Sequence, residues 1–305
     1  MFTFEPANYI ENEPKDSVFF VIFDQSILSF SNENFIRPLT QDEFNVIHDA
    51  WLKYQVLIFP DQKIIDQDQV RFSRMFGTLP EKAVHSQGTK SGQQLHKSVM
   101  LVTNIREDGK VIGSLPDGEM HFHTDGAYEL NPYRYTMLYA IEVPRAGGDT
   151  LFANMYRAYE TLPDELKQKL DGVEAEHGFY TGVDVSEKMK QALRIDGYDG
   201  KAIHPVFIRH EETGRTALYV NRLQTRRLIG FEETESRKIL AHLFEHSEQT
   251  EMIYQHKWTP GDLVAWDNRC INHARTDFGP DERRLLLRTT VQGVKPCAAV
   301  SASQA

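Results

Sequence analysis

The chain has 305 residues, 40% of them hydrophobic and 26% charged, with a formal net charge of −10. This is the composition of a globular protein with a sizeable core, in one large domain or two ordinary ones, and it excludes a disordered chain. The acidic balance argues against nucleic acid as a partner, because phosphate binding calls for a basic surface; a locally positive pocket for a small anion is compatible with it.

The N-terminal stretch MFTFEPANYIENEPK has no basic segment followed by an apolar run, so no secretory signal is expected. VFFVIF (18–23) is too short to span a bilayer and reads as a buried strand. In PLTQDEFNVIHDAWLKY, Thr40 and Glu43 form a capping box ahead of apolar residues at helical spacing. VLIFP (56–60) reads as a strand, and Asp66 with Gln69 as the start of a short helix that stops at Gly77. YRYTMLYAIEV (133–143) is a strand, and GGDTLFANMY (147–156) carries another with Thr150 on it. Asn154 caps a helical stretch expected to run through Pro163 to Gly172.

Farther on, HPVFIRHEETGRTALYVN (204–221) reads as two strands about a Glu-Thr-Gly turn. FEETESRKILAHLFEH (231–246) is an amphipathic helix, and DLVAWD (262–267) and RRLLLRTTV (283–291) are strands. The tail VKPCAAVSASQA (294–305) is expected to be flexible. Cys270 and Cys297 form no paired motif, which fits a reducing cytosol. The pattern is α+β, a closed or double sheet decorated with helices.

HFHTDGAY (121–128) concentrates two of the chain's 12 histidines and an aspartate. In an extended segment His123 and Asp125 would face the same way and offer a nitrogen and an oxygen to one ion. HxD alone is a common pattern, more often a hydrogen-bonded histidine beside a turn aspartate than a metal site. A two-histidine, one-carboxylate site needs a third ligand, and the candidate is His273, expected just beyond the strand DLVAWD at a sheet rim. Arg284 and Arg288 are four apart, so both would point to one side of their strand and Arg283 to the other. Two inward guanidiniums call for anions, and arginine suits bidentate carboxylate recognition. With Thr150, these residues make a site for a chelating diacid and a second anion. Glu119 is the rival partner for Arg288.

HTD, GGDTLFANMYRAYETLP, HPV…GRTALYVN, W-x-PGDLVAWDNRCINHAR and RR-x-x-x-R resemble the taurine dioxygenase family, which includes the 2,4-dichlorophenoxyacetate dioxygenases. RPLTQDEF…VLIFPDQ…RMFGTLP extends the resemblance, which spans roughly residues 36–293. It implies a double-stranded β-helix (jelly-roll) core with flanking helices in a single domain over 1–293. It also implies an Fe(II)-, 2-oxoglutarate- and O₂-dependent dioxygenase that hydroxylates a C–H bond, with C–heteroatom cleavage where the carbon bears O, N or S. By position, His123, Asp125 and His273 match iron ligands, Thr150 and Arg284 match residues that hold 2-oxoglutarate, and Arg288 matches the residue that meets the substrate's anion. The pocket departs from the taurine enzyme: Lys82, His85 and Gln224 stand near substrate positions there, which puts taurine itself in doubt. His121 shares a face with His123 as a neighbour of the metal site. The expected partner is a small organic anion (sulfonate, sulfate ester, carboxylate or phosphonate), in the cytoplasm, with no membrane; homo-oligomerisation is left open. The alternatives are desaturation or C–N chemistry on an amino-acid-like substrate, or a non-catalytic jelly-roll binding protein.

Overall fold

The computed structural model describes residues 20–22, 35–80, 89–90, 93–113, 120–179 and 200–299. Ten strands make two sheets: β1 (Phe20–Ile22), β2 (Val56–Phe59), β3 (Met100–Thr103), β4 (Met120–His123), β5 (Tyr133–Glu142), β6 (Thr150–Asn154), β7 (Ile253–His256), β8 (Leu263–Asp267), β9 (Ile271–Arg275) and β10 (Leu285–Gln292). The larger sheet has the order β1-β2-β8-β5-β10-β3 and the smaller β7-β6-β9-β4. All pairings are antiparallel except β1 with β2. Two facing antiparallel sheets with helices on the outside are the expected jelly-roll core.

The larger sheet is buried on both faces, and period-2 alternation explains how. Leu138, Ala140, Val264, Trp266 and Leu286 point inward and join Phe122, Phe152 and Ile271 of the smaller sheet in the inter-sheet core. Their neighbours Met137, Tyr139, Leu263, Ala265, Leu285 and Leu287 point outward. There they meet α1 (Gln41–Tyr54) and α2 (Asp66–Arg74) through Ile47, Trp51, Val70 and Phe72. Near-continuous apolar runs in β5, β8 and β10 follow from this two-sided burial, which is why β10 alternates only loosely in polarity.

The capping box at α1 forms as expected: Thr40 Oγ1 accepts from Glu43 N, and a Glu43 oxygen accepts from Thr40 N at 2.7 Å. Helix α2 differs by one residue: Ile65 is its N-cap and Asp68 accepts from Ile65 N, while Asp66 turns aside to accept from His96 N. The stretch after Asn154 is two helices, α3 (Met155–Glu160) and α4 (Asp164–Leu170). Pro163 lacks the N–H that a continuous helix would need and starts the second. Asn154 caps the first, accepting from Arg157 N at 3.0 Å. Helix α5 (Glu233–Ser247) packs Leu240, Leu243 and Phe244 into the inter-sheet core.

The hairpin over 204–221 pairs Phe207–Arg209 with Thr216–Leu218. The tail is ordered farther than expected, because Cys297 and Ala298 add an edge strand opposite Arg209 and Ile208. Residues 300–305 lie outside the described residues. Both cysteines are free thiols, Cys270 buried and Cys297 exposed. Among the described residues, no helix is long and apolar enough to cross a membrane.

Candidate active site

His123 and His273 stand directly opposite each other in the β4–β9 pairing. Directly opposed residues on antiparallel strands share a face, so their rings come within 4.1 Å, centroid to centroid. His273 therefore sits in the middle of its own strand in the smaller sheet, not at a rim after β8 as its sequence position suggested. Asp125 also differs: β4 ends at His123, and Asp125 lies in the turn that follows. The turn still brings its carboxylate back, with Oδ2 4.0 Å from His273 Nε2. One ligand atom from each of His123, Asp125 and His273 falls within 4.8 Å of the others, and all three residues are buried. Bonds of about 2.1 Å to a single ion can span this set.

The electrostatics suit a cation. His123 Nδ1 donates to the His121 carbonyl at 2.9 Å, which fixes the tautomer and leaves Nε2 its lone pair. His121 thus serves the site through its backbone rather than its ring. Burial lowers the pKa of both His123 and His273, so the imidazoles stay neutral, the form that ligates. Burial pushes Asp125 the other way, but Arg288, His273, His123 and the Thr136 hydroxyl outweigh it and keep the carboxyl well below its usual range. The donor set fits a divalent metal of the two-histidine, one-carboxylate class.

Asp125 is aimed by a chain of hydrogen bonds. Trp266 Nε1 donates to Asn268 Oδ1 at 3.0 Å, Asn268 Nδ2 to Thr136 Oγ1 at 2.9 Å, and Thr136 Oγ1 to Asp125 Oδ2 at 2.6 Å. On the other side of the triad, Thr124 donates to Asn272 at 2.6 Å, and Asn272 donates to the Val220 carbonyl. Thr136, Asn268 and Asn272 had no role in the sequence reading. The run Trp-Asp-Asn ahead of His273 was the available signal for Asn268.

Beside the triad lies a small pocket lined by His123, Thr150, Trp266, His273, Arg284 and Arg288, with Arg275 and the apolar Val102, Met120, Leu138 and Ala274. Arg284 precedes β10 and is held by its backbone: its N–H donates to Asn104 Oδ1, and its carbonyl accepts from Thr103 Oγ1 at 2.7 Å. Its Nε donates to the Gly148 carbonyl at 3.2 Å. A Cβ on Gly148 would lie 3.3 Å from the Arg284 side chain, in a backbone conformation with φ +70°; glycine suits both conditions. Burial, then the charge of Arg275, lowers the Arg284 pKa to about 9. Arg283 faces the other way and pairs with Glu142 at 2.7 Å. Thr150 Oγ1 accepts from Trp258 Nε1 at 3.0 Å, which leaves its own hydroxyl proton available to a ligand.

The structure does not bring Gln224 to this cavity. It is buried in a turn, where its N–H and its side-chain oxygen are both tied to Asn221. Lys82, His85 and Glu119 lie outside the described residues.

A second buried cluster, His210, Asp267 and Cys270, also meets the spacing for a metal. Its donors are already engaged. His210 Nε2 donates to Asp267 Oδ2 at 3.0 Å, its Nδ1 accepts from Thr213 N, and Arg269 N and Nε hold Asp267 Oδ1. This cluster fastens the corner between β8 and β9, and so positions Asn268.

Among known proteins, the model of the taurine catabolism dioxygenase TauD, TfdA family matches residues 25–290. Pentalenolactone F synthase of Streptomyces avermitilis is 34% identical over 83% of this chain and 86% of its own. The (S)-phenoxypropionate/alpha-ketoglutarate-dioxygenase of Sphingobium herbicidovorans is 33% identical over 80% of this chain and 84% of its own. The crystal structure of a taurine dioxygenase from Burkholderia xenovorans superposes with a TM-score of 0.72 at 27% identity, covering 92% of this chain and 89% of its own.

Proposed function

The chain belongs to the TauD/TfdA family of dioxygenases, and on that premise we propose that it oxidises a small organic anion whose charged group meets Arg288. It is an Fe(II)- and 2-oxoglutarate-dependent dioxygenase acting on a small substrate. When bound, iron and the keto acid together activate O₂ for insertion into a substrate C–H bond, with succinate and CO₂ as by-products.

The chain's own residues supply the rest. His123, Asp125 and His273 would hold the metal, with the imidazoles kept neutral by burial and Asp125 aimed by Thr136. Arg284 and the Thr150 hydroxyl would hold the far carboxylate of the keto acid. Val102, Met120, Leu138 and Trp266 surround the charged groups with apolar surface, which excludes water and strengthens each charge–charge contact.

The observation that carries the substrate proposal is the placement of Arg288. It lines the same cavity as Arg284 and reaches to the Asp125 carboxylate. A substrate anion on Arg288 would set the reactive carbon beside the metal. Carboxylates, sulfonates, sulfate esters and phosphonates all present suitable oxygens. The relative named for (S)-phenoxypropionate acts on a carboxylate of this kind. The reading extends to a single catalytic domain in the cytoplasm.

The test is a panel of aryloxy acids, sulfonates, sulfate esters, phosphonates and amino-acid derivatives with iron and 2-oxoglutarate. Succinate release and substrate mass change are both scored. Substrate-dependent succinate with an anionic member supports the proposal. Turnover confined to neutral members overturns it.

A further inference from the structure

We infer that His204 is a positioning residue for the metal site: its ring grips the far end of the turn that carries Asp125 and so fixes where that carboxylate stands. This role rests on the reading of His123, Asp125 and His273 as the metal triad.

The segment 124–132 joins β4 to β5 and belongs to neither strand. The β4–β9 ladder fixes His123, whereas the backbone of Asp125 stands where the turn puts it. The turn closes on itself: Ala127 N donates to the Thr124 carbonyl at 3.3 Å, and Glu129 N to the Gly126 carbonyl at 2.8 Å. Gly126 has φ +77°, and a Cβ there would lie 3.1 Å from the Tyr133 ring that packs against it. At the near end Thr124 Oγ1 donates at 2.6 Å to Asn272, the neighbour of His273. At the far end the Glu129 carbonyl accepts from His204 Nε2 at 2.9 Å. A turn held at both ends cannot pivot about either, and Asp125 lies between them.

His204 comes from outside the two sheets that carry the triad. It belongs to the strand Lys201–Pro205, which pairs with Glu174–Gly178 in a separate three-stranded sheet completed by Thr225–Leu228. The residue is buried, and burial lowers its pKa against the pull of the Glu129 and Ala127 carbonyls, so the ring is neutral. A carbonyl only accepts, so the single ring proton sits on Nε2 and points at the turn. Nδ1 has no partner among the described residues, so the polar contact of this ring is spent on the turn. His177 is a built-in comparison. Its ring is equally buried and lies 5.6 Å from that of His204, but its hydrogen-bond partner is Thr225, away from the turn. A histidine that grips the turn and one that only packs thus stand side by side.

The experiment is Mn(II) titration of the full-length protein, read by electron paramagnetic resonance, with a thermal melt of the metal-free protein beside it. His204→Leu removes the donor and leaves the Glu129 carbonyl unpaired. Mn(II) binding should weaken by about threefold to tenfold, the worth of one neutral hydrogen bond acting through the turn. His204→Gln can return an N–H to the place of Nε2 and should restore affinity to within about twofold of the parent. His177→Gln should lower the melting temperature and leave Mn(II) affinity unchanged. A purely structural role would lower melting temperatures without this split in metal affinity. Parent-like affinity in His204→Leu overturns the role of His204, as does an equal loss in His204→Gln or in His177→Gln. If the leucine variant does not fold, His204→Asn takes its place: its amide is too short to reach the carbonyl, so it should lose affinity where glutamine does not, and equal affinities overturn the role. In each of these cases the triad reading stands. Failure of the parent protein to bind Mn(II) overturns that reading and the role of His204 with it.

Discussion

Arg288 donates from Nη1 to Oδ1 of Asp125 at 3.0 Å, so this cation of the pocket is paired with the carboxylate of the proposed metal triad. The sequence reading had reserved Asp125 for the metal and weighed Glu119 as the rival partner. The close pairing changes the electrostatic argument for an anionic substrate. A divalent ion on Asp125 would draw that carboxylate's charge to itself and weaken its hold on Arg288. Metal binding would thus loosen this one contact of Arg288 and make it available to a substrate anion.

Arg288→Ala is expected to lower coupled turnover of the identified substrate by about tenfold to a hundredfold, the range for a lost charge-assisted contact. Binding of 2-oxoglutarate to the metal-loaded protein should change little, because Arg284 and Thr150 do not depend on Arg288. The companion measurement compares the free acid with its neutral ester. An ester turned over as well as the acid would remove Arg288 from substrate recognition.

Thr136→Val keeps the shape and removes the donor that holds Asp125 Oδ2. Loss of such an outer partner typically costs about tenfold to a hundredfold in metal affinity. Mn(II) titration read by electron paramagnetic resonance should show that loss, with near-normal circular dichroism. An affinity equal to the parent's would mean that Arg288 and the turn alone aim the carboxylate.

The sequence was legible where the signal is local. Thr40 with Glu43, and the apolar runs of β5, β8 and β10, are local signals, and the helix and strands appear where the residues place them. His123 and Asp125 were legible as a pair and His273 as a candidate third member, but only resemblance joined them firmly, because the meeting is made by the pairing of β4 with β9, which sets His123 opposite His273. Strand register is tertiary information, so His273 was expected at a rim and lies mid-strand. Thr136 was missed for the same reason: it acts through Asp125, a neighbour that no sequence spacing reveals.

Arg284→Ala should raise the KM for 2-oxoglutarate by at least about tenfold, since it removes a buried charged donor from the ligand's carboxylate. Thr150→Val should have the smaller effect of a neutral hydrogen bond, about threefold to tenfold. The ordering is the informative part. Trp258 already donates to the Thr150 oxygen, so that hydroxyl has one proton to offer, whereas Arg284 commits only its Nε to Gly148 within the cavity wall. A larger loss at Thr150 than at Arg284 would contradict the assignment of the carboxylate to the guanidinium.

His177 gives a prediction about acid stability that is independent of the metal site. It is fully buried, with Nδ1 3.2 Å from Thr225 Oγ1 and no partner at Nε2, and its ring lies 5.6 Å from that of His204. Burial, and then His204, push its pKa from 6.5 down to about 3. Between those values the unfolded chain binds a proton that the folded protein refuses. The free energy of unfolding therefore falls as pH falls, by about 1.4 kcal/mol for each pH unit below 6.5 until the folded pKa is approached. His177→Gln removes the titrating group. The variant is expected to be less stable than the parent near neutral pH, because the ring is packed against His204 and Tyr219. The gap should then narrow by about 2 kcal/mol on moving to about pH 5. Urea unfolding at both pH values measures it. Parallel losses in parent and variant would show that His177 does not stay neutral in the folded protein.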